Sequence, residues 1–160
     1  MDNLFQHNTG KALNSSNSQG VLHPYITTSN VYWGYFNLEH VKEMAFTKDE
    51  FAKCSIVPGD LLVCEGGDVG RAAIWDKDIP MCIQNHIHRL RTYYPVCTAF
   101  YYFVFFVYKS IGLIGGKGIG IQGLSSSALG KLIFPLPPLA EQERIIKQVA
   151  IILNKLKDED

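Results

Sequence analysis

Pro135-Leu-Pro-Pro-Leu-Ala-Glu-Gln-Glu-Arg-Ile-Ile146 is the stretch that decides how this chain is organised. Pro135, Pro137 and Pro138 cannot continue a helix and supply no backbone donor to a sheet. They therefore force an extended, stiff exit from whatever precedes them. A helix is expected to begin directly after. Glu141 and Glu143 fall in its first turn, where carboxylates meet the positive end of the helix dipole. Its apolar residues Ile145, Val149, Ile152 and Leu156 are spaced four, three and four, with Ile146 and Leu153 alongside. That spacing makes a coiled-coil-like seam about three turns long. A lone helix with such a stripe needs something to bury it against. The expected organisation is a compact domain over residues 1–134, a proline hinge at 135–139 and a helix over 140–157 offered to a partner.

Length and composition suit that division. A chain of 160 residues has room for one domain with a real core plus an appendage, and 47% apolar with 12% aromatic residues is globular usage. Cys54, Cys64, Cys82 and Cys97 have no short paired spacing and read as reduced thiols of a cytoplasmic protein. The opening Met-Asp-Asn-Leu-Phe-Gln-His lacks the basic and apolar regions of a signal peptide. The longest apolar run, Val96 to Tyr108, has 13 residues. It is too short to span a membrane and suits a buried helix, so no membrane association is expected.

Net charge is zero, yet its distribution is uneven. Residues 1–78 hold ten acids and six bases, whereas 79–140 hold no acid and five bases: Arg89, Arg91, Lys109, Lys117 and Lys131. A neutral protein can still present one positive face to a nucleic acid in this way. Alternatively, the five bases only decorate a segment that is mostly buried. Charge alone leaves both readings open.

Local signals give a coarse map. The first twenty residues are polar and turn-rich, so they read as a mobile loop without a clear strand. Tyr25 to Trp33 is β-branched and aromatic, hence a strand ended by Gly34. Phe46 to Cys54 reads as a short helical turn in which Thr47 and Glu50 form a capping box. Pro58-Gly59-Asp60 marks a turn, and Leu61 to Cys64 a strand leaving it. Gly66, Gly67 and Gly70 flank Asp68 in a turn before a strand at Arg71 to Trp75. Near the end of Met81 to Arg91, Ile87 and Leu90 are expected inside, with Arg89 and Arg91 sharing the other face. A helix follows Pro95 to about Ser110, Ser125 to Ser127 cap a brief second helix, and Leu132 to Phe134 is read as the last strand. Short strands without regular strand–helix alternation favour an α+β fold, β-rich in its compact part.

The motifs that carry chemistry elsewhere fail in context. Gly118-Ile-Gly-Ile-Gln-Gly123 fits G-x-G-x-x-G, but a dinucleotide site needs a preceding strand, a long following helix and an acid ending the next strand. Here Gly115-Gly-Lys117 precedes it, a short helix follows, and Glu141 lies beyond the prolines. The loop reads better as glycine backbone that can approach phosphates, with Lys117 to pair with one and Gln122 to read an adenine edge. It also reads as a solvated loop whose glycines merely turn. Cys82, Asn85, His86 and His88 lack the short paired spacing of a zinc site. No metal, no cofactor and no catalytic residue is expected.

Four segments in order carry a resemblance: Val57-Pro-Gly-Asp-Leu-Leu-Val63 with Gly67 to Arg71, Gln84-Asn-His-Ile-His-Arg-Leu-Arg91, Gly120-Ile-Gln-Gly-Leu-Ser-Ser-Ser-Ala-Leu129, and Pro135-Leu-Pro-Pro-Leu-Ala-Glu-Gln-Glu-Arg-Ile145. Together they resemble DNA-specificity (S) subunits of type I restriction-modification systems, at the junction of a target recognition domain and a spacer helix. The resemblance implies a non-catalytic chain that reads one half of a bipartite double-stranded DNA target. It implies docking of methyltransferase subunits and, through them, of restriction subunits. Complete S subunits have two recognition domains and two antiparallel helices, so this chain resembles a half-subunit or a C-terminal fragment. Family members usually carry an additional strand-like opening before the equivalent of Thr9-Gly10-Lys11, so the chain is expected to start inside a recognition domain or to be trimmed. Self-association or pairing with a second half is expected through Ile145, Ile146, Val149, Ile152, Leu153 and Leu156. Expected DNA contacts are Lys11, Arg71, His88, Arg89, Arg91, Lys117 and Gln122, with readout from loops around 11–18, 30–37 and 117–122. A structural or protein-interaction module without DNA binding is the other reading, because the same helix and aromatic content would serve it.

Overall fold

Residues 3–14, 18–115 and 123–157 are described by the computed structural model. In chain order the strands are β1 (Phe5–Thr9), β2 (Val21–Ile26), β3 (Val31–Tyr32), β4 (Tyr35–Phe36), β5 (Lys42–Phe46), β6 (Leu61–Cys64), β7 (Ala72–Ile74), β8 (Cys82–Ile83) and β9 (Ile87–Thr92). The helices are α1 (Lys48–Cys54), α2 (Thr98–Ser110), α3 (Ser126–Lys131) and α4 (Leu139–Lys157). This is a mixed α+β architecture, as expected.

The turn at Pro58-Gly59-Asp60 launches β6, and its four consecutive side chains are all buried. Successive side chains point to opposite faces, so a continuous apolar run means a strand covered on both sides. β6 lies inside a four-stranded antiparallel sheet of order β1-β9-β6-β7. Leu61, Val63 and Leu90 meet Phe100, Tyr101 and Phe105 of α2 on one face. Leu62, Cys64 and Ile87 meet Ile26, Val31 and Ile83 on the other, where a second sheet of order β5-β2-β8 begins. All four cysteines are free thiols, and burial pushes Cys64 up to about 11 and Cys82 up to about 12.

Local chemistry is borne out at α1. Thr47 accepts from the Glu50 amide and Glu50 accepts from the Thr47 amide, which closes a complete capping box. Thr47→Ala leaves helix donors unpaired and is expected to cost about 1 kcal/mol of stability. Urea unfolding midpoints with an unchanged slope would measure it.

Three expectations are corrected. The N-terminal segment does contain a strand: β1 runs antiparallel to β9, with Phe5 opposite Thr92 and Thr9 opposite His88. Its polar sequence hides this because the edge of β9, not hydrophobic alternation, holds it. Tyr25 to Trp33 is not one strand either. Asn30, only 4% exposed, accepts from the Thr27 amide and hydroxyl and donates to the carbonyls of Asn37 and His40. Those bonds fold 27–30 into a turn that separates β2 from β3. Finally, Leu132 to Phe134 is extended but forms no ladder among the described residues. The Ile133 carbonyl is taken by the Tyr108 hydroxyl, and the Phe134 ring packs near Phe5, Tyr101, Phe105 and Tyr108.

Candidate nucleic-acid interface

The cations expected to meet phosphates are mostly engaged inside the protein. Lys11 Nζ donates to Glu50 Oε2 at 2.6 Å and to the Ala45 carbonyl at 2.8 Å, with its side chain 9% exposed. The pair depresses the Glu50 carboxyl, chiefly through the Lys11 hydrogen bond. Arg89, expected to share a face with Arg91 and to meet phosphate, reaches the Ser55 carbonyl as Arg91 does but lies inside the protein. It is 1% exposed, and its Nη1 donates to the carbonyls of Lys53 and Ser55 at the C-terminal end of α1. A cation there satisfies helix carbonyls and complements the negative end of the helix dipole. Burial lowers its pKa, with Arg91 adding to the effect. Arg91 itself pairs with Asp60 through two parallel bonds, Nε to Oδ1 at 2.8 Å and Nη2 to Oδ2 at 2.7 Å.

His88 is fully buried. Its Nε2 donates to the Leu124 carbonyl, so its Nδ1 must accept from His7 Nε2, 2.8 Å away. Burial lowers its pKa below the usual 6.5. The unfolded chain therefore takes the proton first as pH falls. Stability is complete above about 6.5 and declines below it, by at most about 1.4 kcal/mol per pH unit. Unfolding midpoints at several pH values should show this slope, and His88→Gln should flatten it.

Arg71 lies elsewhere, in a cluster of loops. Its Nη2 donates to the Thr28 carbonyl at 2.6 Å, and its guanidinium sits 5.2 Å from the Tyr32 ring centre. Asp68 and the Val69 carbonyl are both held by Lys109 Nζ, at 2.8 and 2.9 Å. Gly70 packs so tightly on Ile114 that a Cβ there would come within 2.7 Å of it. Thus the turn at 27–30, the β3–β4 hairpin, the loop at 65–71 and the end of α2 meet in one place. The expected readout segment 30–37 belongs to this cluster. Lys117 and Gln122 lie outside the described residues, as does part of the 11–18 loop.

The seam on α4 divides in two. Ile145 and Ile146 are partly buried and pack against the core cluster that includes Phe100 and Val104 of α2. Ile145 and Val149 line an open apolar groove of about 360 Å³ with Phe103, Val107 and Pro135. Beyond Val149 the same stripe continues without cover from its own chain: Ile152 is 56% and Leu156 55% exposed, and Leu153 44%. The first half of the seam is therefore used internally, and the second half stands free.

Sequence reasoning missed Gln142. It is 2% exposed, accepts from the Cys97 amide at 3.0 Å and donates to the Pro137 carbonyl at 2.8 Å. Cys97 is the N-cap of α2, and Gln142 supplies an acceptor for its backbone amide. Its place on the same helical face as Ile145, Ile146 and Val149 was the available signal. Lys109 was seen only as one more base, and nothing in sequence tied it to Asp68.

These features define an α+β domain with an internally paired set of cations, a loop-built face and a helix longer than the surface it covers. A family model for the type I restriction modification DNA specificity domain matches residues 1–159. The chain belongs to that family. The fold agrees with solved structures of low identity. The HsdS subunit from Thermoanaerobacter tengcongensis superimposes with TM-score 0.70 at 17% identity, over 97% of this chain and 36% of that one. A chain from a structure described as the basis of complex assembly and conformational transition of the type I R-M system gives 0.69 at 18%, over 96% and 37%. The type I restriction-modification S subunit from M. genitalium gives 0.54 at 16%, over 98% and 38%. This chain thus spans little more than a third of the length of these structures. No curated protein matches it. Among the described residues no helix is long and apolar enough to cross a membrane.

Proposed function

We propose that this chain reads one half of a bipartite DNA target as part of a type I restriction-modification specificity subunit in the cytoplasm. It contributes no chemistry, docks methyltransferase subunits and, through them, restriction subunits. The observation that carries this reading is the family match over residues 1–159. Residues 1–134 form the recognition domain, 135–139 the stiff exit and 140–157 the spacer helix. The DNA-facing surface is the loop cluster, and Lys117 and Gln122 remain sequence-based candidates for DNA contact. Arg71 tunes it electrostatically, whereas Lys11, His88, Arg89 and Arg91 act as framework.

Pairing with a second copy, or with a separate second half, runs through the free turns of α4. Ile152, Leu153 and Leu156 supply the stripe, and Phe103 and Val107 wall the adjoining groove. Two linked half-site readers bind far better than one, because the second contact is effectively intramolecular. Light scattering should give two copies for the wild type, and a folded single copy for Ile152→Glu with Leu156→Glu. Selection from a randomised duplex library should then enrich a sequence only for the paired form at low salt.

A protein-interaction module without DNA binding is the second reading. It is favoured by the internal engagement of each described cation expected to meet phosphate. Flat binding curves at low salt, together with retained pairing, would support it.

A further inference from the structure

The β3–β4 hairpin is clamped on nearly every side. Val31 is fully buried, and Phe36 lies edge-on to Trp75 at 5.0 Å. Trp33 packs edge-on to Phe106 at 5.3 Å and Tyr102 at 6.0 Å. The Gly34 amide donates to the Ala72 carbonyl at 3.1 Å, and the Asn37 amide to the Asn30 carbonyl at 2.9 Å. Gly34 adopts φ +80, a conformation that frees the two-residue turn from strain.

Two side chains escape this clamp. Tyr32 and Tyr35 face each other in register and stack with centres 4.9 Å apart and planes 12° from parallel. Tyr35 is 57% exposed and Tyr32 37%. Arg71, fixed by the Thr28 carbonyl, lies 5.2 Å from the Tyr32 ring centre. The outer aromatic surface of the pair is thus rigid, carries hydroxyls able to donate and accept, and has a fixed positive charge beside it. Rigid aromatic anchors bind at little entropic cost because few torsions remain to be frozen. A cation with neutral donors suits a polyanion whose base edges offer acceptors and methyl groups.

We propose that Tyr35, backed by Tyr32 and Arg71, is a specificity-determining residue that contacts base edges in a groove of duplex DNA. The proposal rests on the DNA-reading function above. It differs from a general phosphate contact in one respect: losing the ring should erase a base preference while sparing non-specific affinity.

The test compares wild type, Tyr35→Phe and Tyr35→Ala, each in the paired form of the full chain, by selection from a randomised duplex library. Fluorescence anisotropy follows on the enriched duplex and a scrambled one at the same salt. Tyr35→Ala is expected to lower affinity for the enriched duplex about tenfold and for the scrambled one less than about twofold. The enriched motif should lose information at one or two adjacent positions. Tyr35→Phe, which keeps the stack, controls for folding and should fall between. An unchanged motif and affinity in Tyr35→Ala would overturn this proposal alone. A wild-type chain that enriches no sequence would overturn the DNA-reading function with it.

Discussion

Gly10→Ala is expected to lower stability by about 3 kcal/mol or more, the upper end of what overpacking does. A Cβ at this position would lie 1.9 Å from the Ile83 carbonyl oxygen and 2.6 Å from the Gln84 carbonyl carbon. Both obstacles are backbone, so no side-chain rotation relieves the clash. Two hydrogen bonds hold the chains together there: Lys11 amide to Ile83 carbonyl at 3.1 Å, and Asn85 amide to Lys11 carbonyl at 3.0 Å. Moving apart would sacrifice both, along with the link between β1 and the second sheet. Gly66→Ala is the control, because a Cβ there meets nothing within 4 Å. It should be neutral or slightly stabilising. Thermal midpoints separated by roughly 6 to 12 °C would bear out the difference for a domain of this size. Equal midpoints would mean that the two segments are not pressed together at Gly10.

Gly10 also marks where sequence reading reached its limit. Asn8-Thr-Gly10 has turn chemistry, and read locally it predicts a loop. What makes Phe5–Thr9 a strand is an open edge on β9, which no property of those five residues encodes. The converse holds at Pro58-Gly59-Asp60 and at Thr47 with Glu50. There the determinant is a side chain bonding to backbone three residues away, so spacing alone suffices. Between these extremes lies α4. Its periodicity predicted the seam, but the pattern is the same on either side of Val149. Only the length of the surface beneath it decides which half is covered.

The candidate site was less legible than the fold for a related reason. Arg89 and His88 occupy an alternating strand, and alternation alone assigns charged residues to water. The sheet is covered on both faces, so both side chains are interior and must find carbonyl partners. Such partners come from α1 and from Leu124, at least 34 residues away in sequence. Conversely Tyr32 reads in sequence as part of one strand from Tyr25 to Trp33, and Tyr35 only as part of the 30–37 readout segment. Their exposure follows from the turn that Asn30 builds just before them.

Asp60→Ala is expected to cost about 3 kcal/mol, because it removes one partner of a buried charge pair. Asp60 is 1% exposed and accepts three bonds, two from Arg91 and one from the Val57 amide at 2.9 Å. Its loss would also leave Arg91 uncompensated beside Arg89, whose charge Arg91 already disfavours. The Arg91 side chain is 33% exposed and can turn partly to water, which keeps the cost from rising further. A double-mutant cycle with Arg91→Leu, read by urea unfolding, should return a coupling well above about 1 kcal/mol. Additive losses would show that the two side chains act independently. The same pair governs how any DNA-binding experiment at Arg91 must be read. Arg91→Glu would set two carboxylates against each other at the start of β6, so binding would fall through unfolding alone. Only a loss of affinity with an unchanged unfolding midpoint would return Arg91 to the surface that meets phosphate.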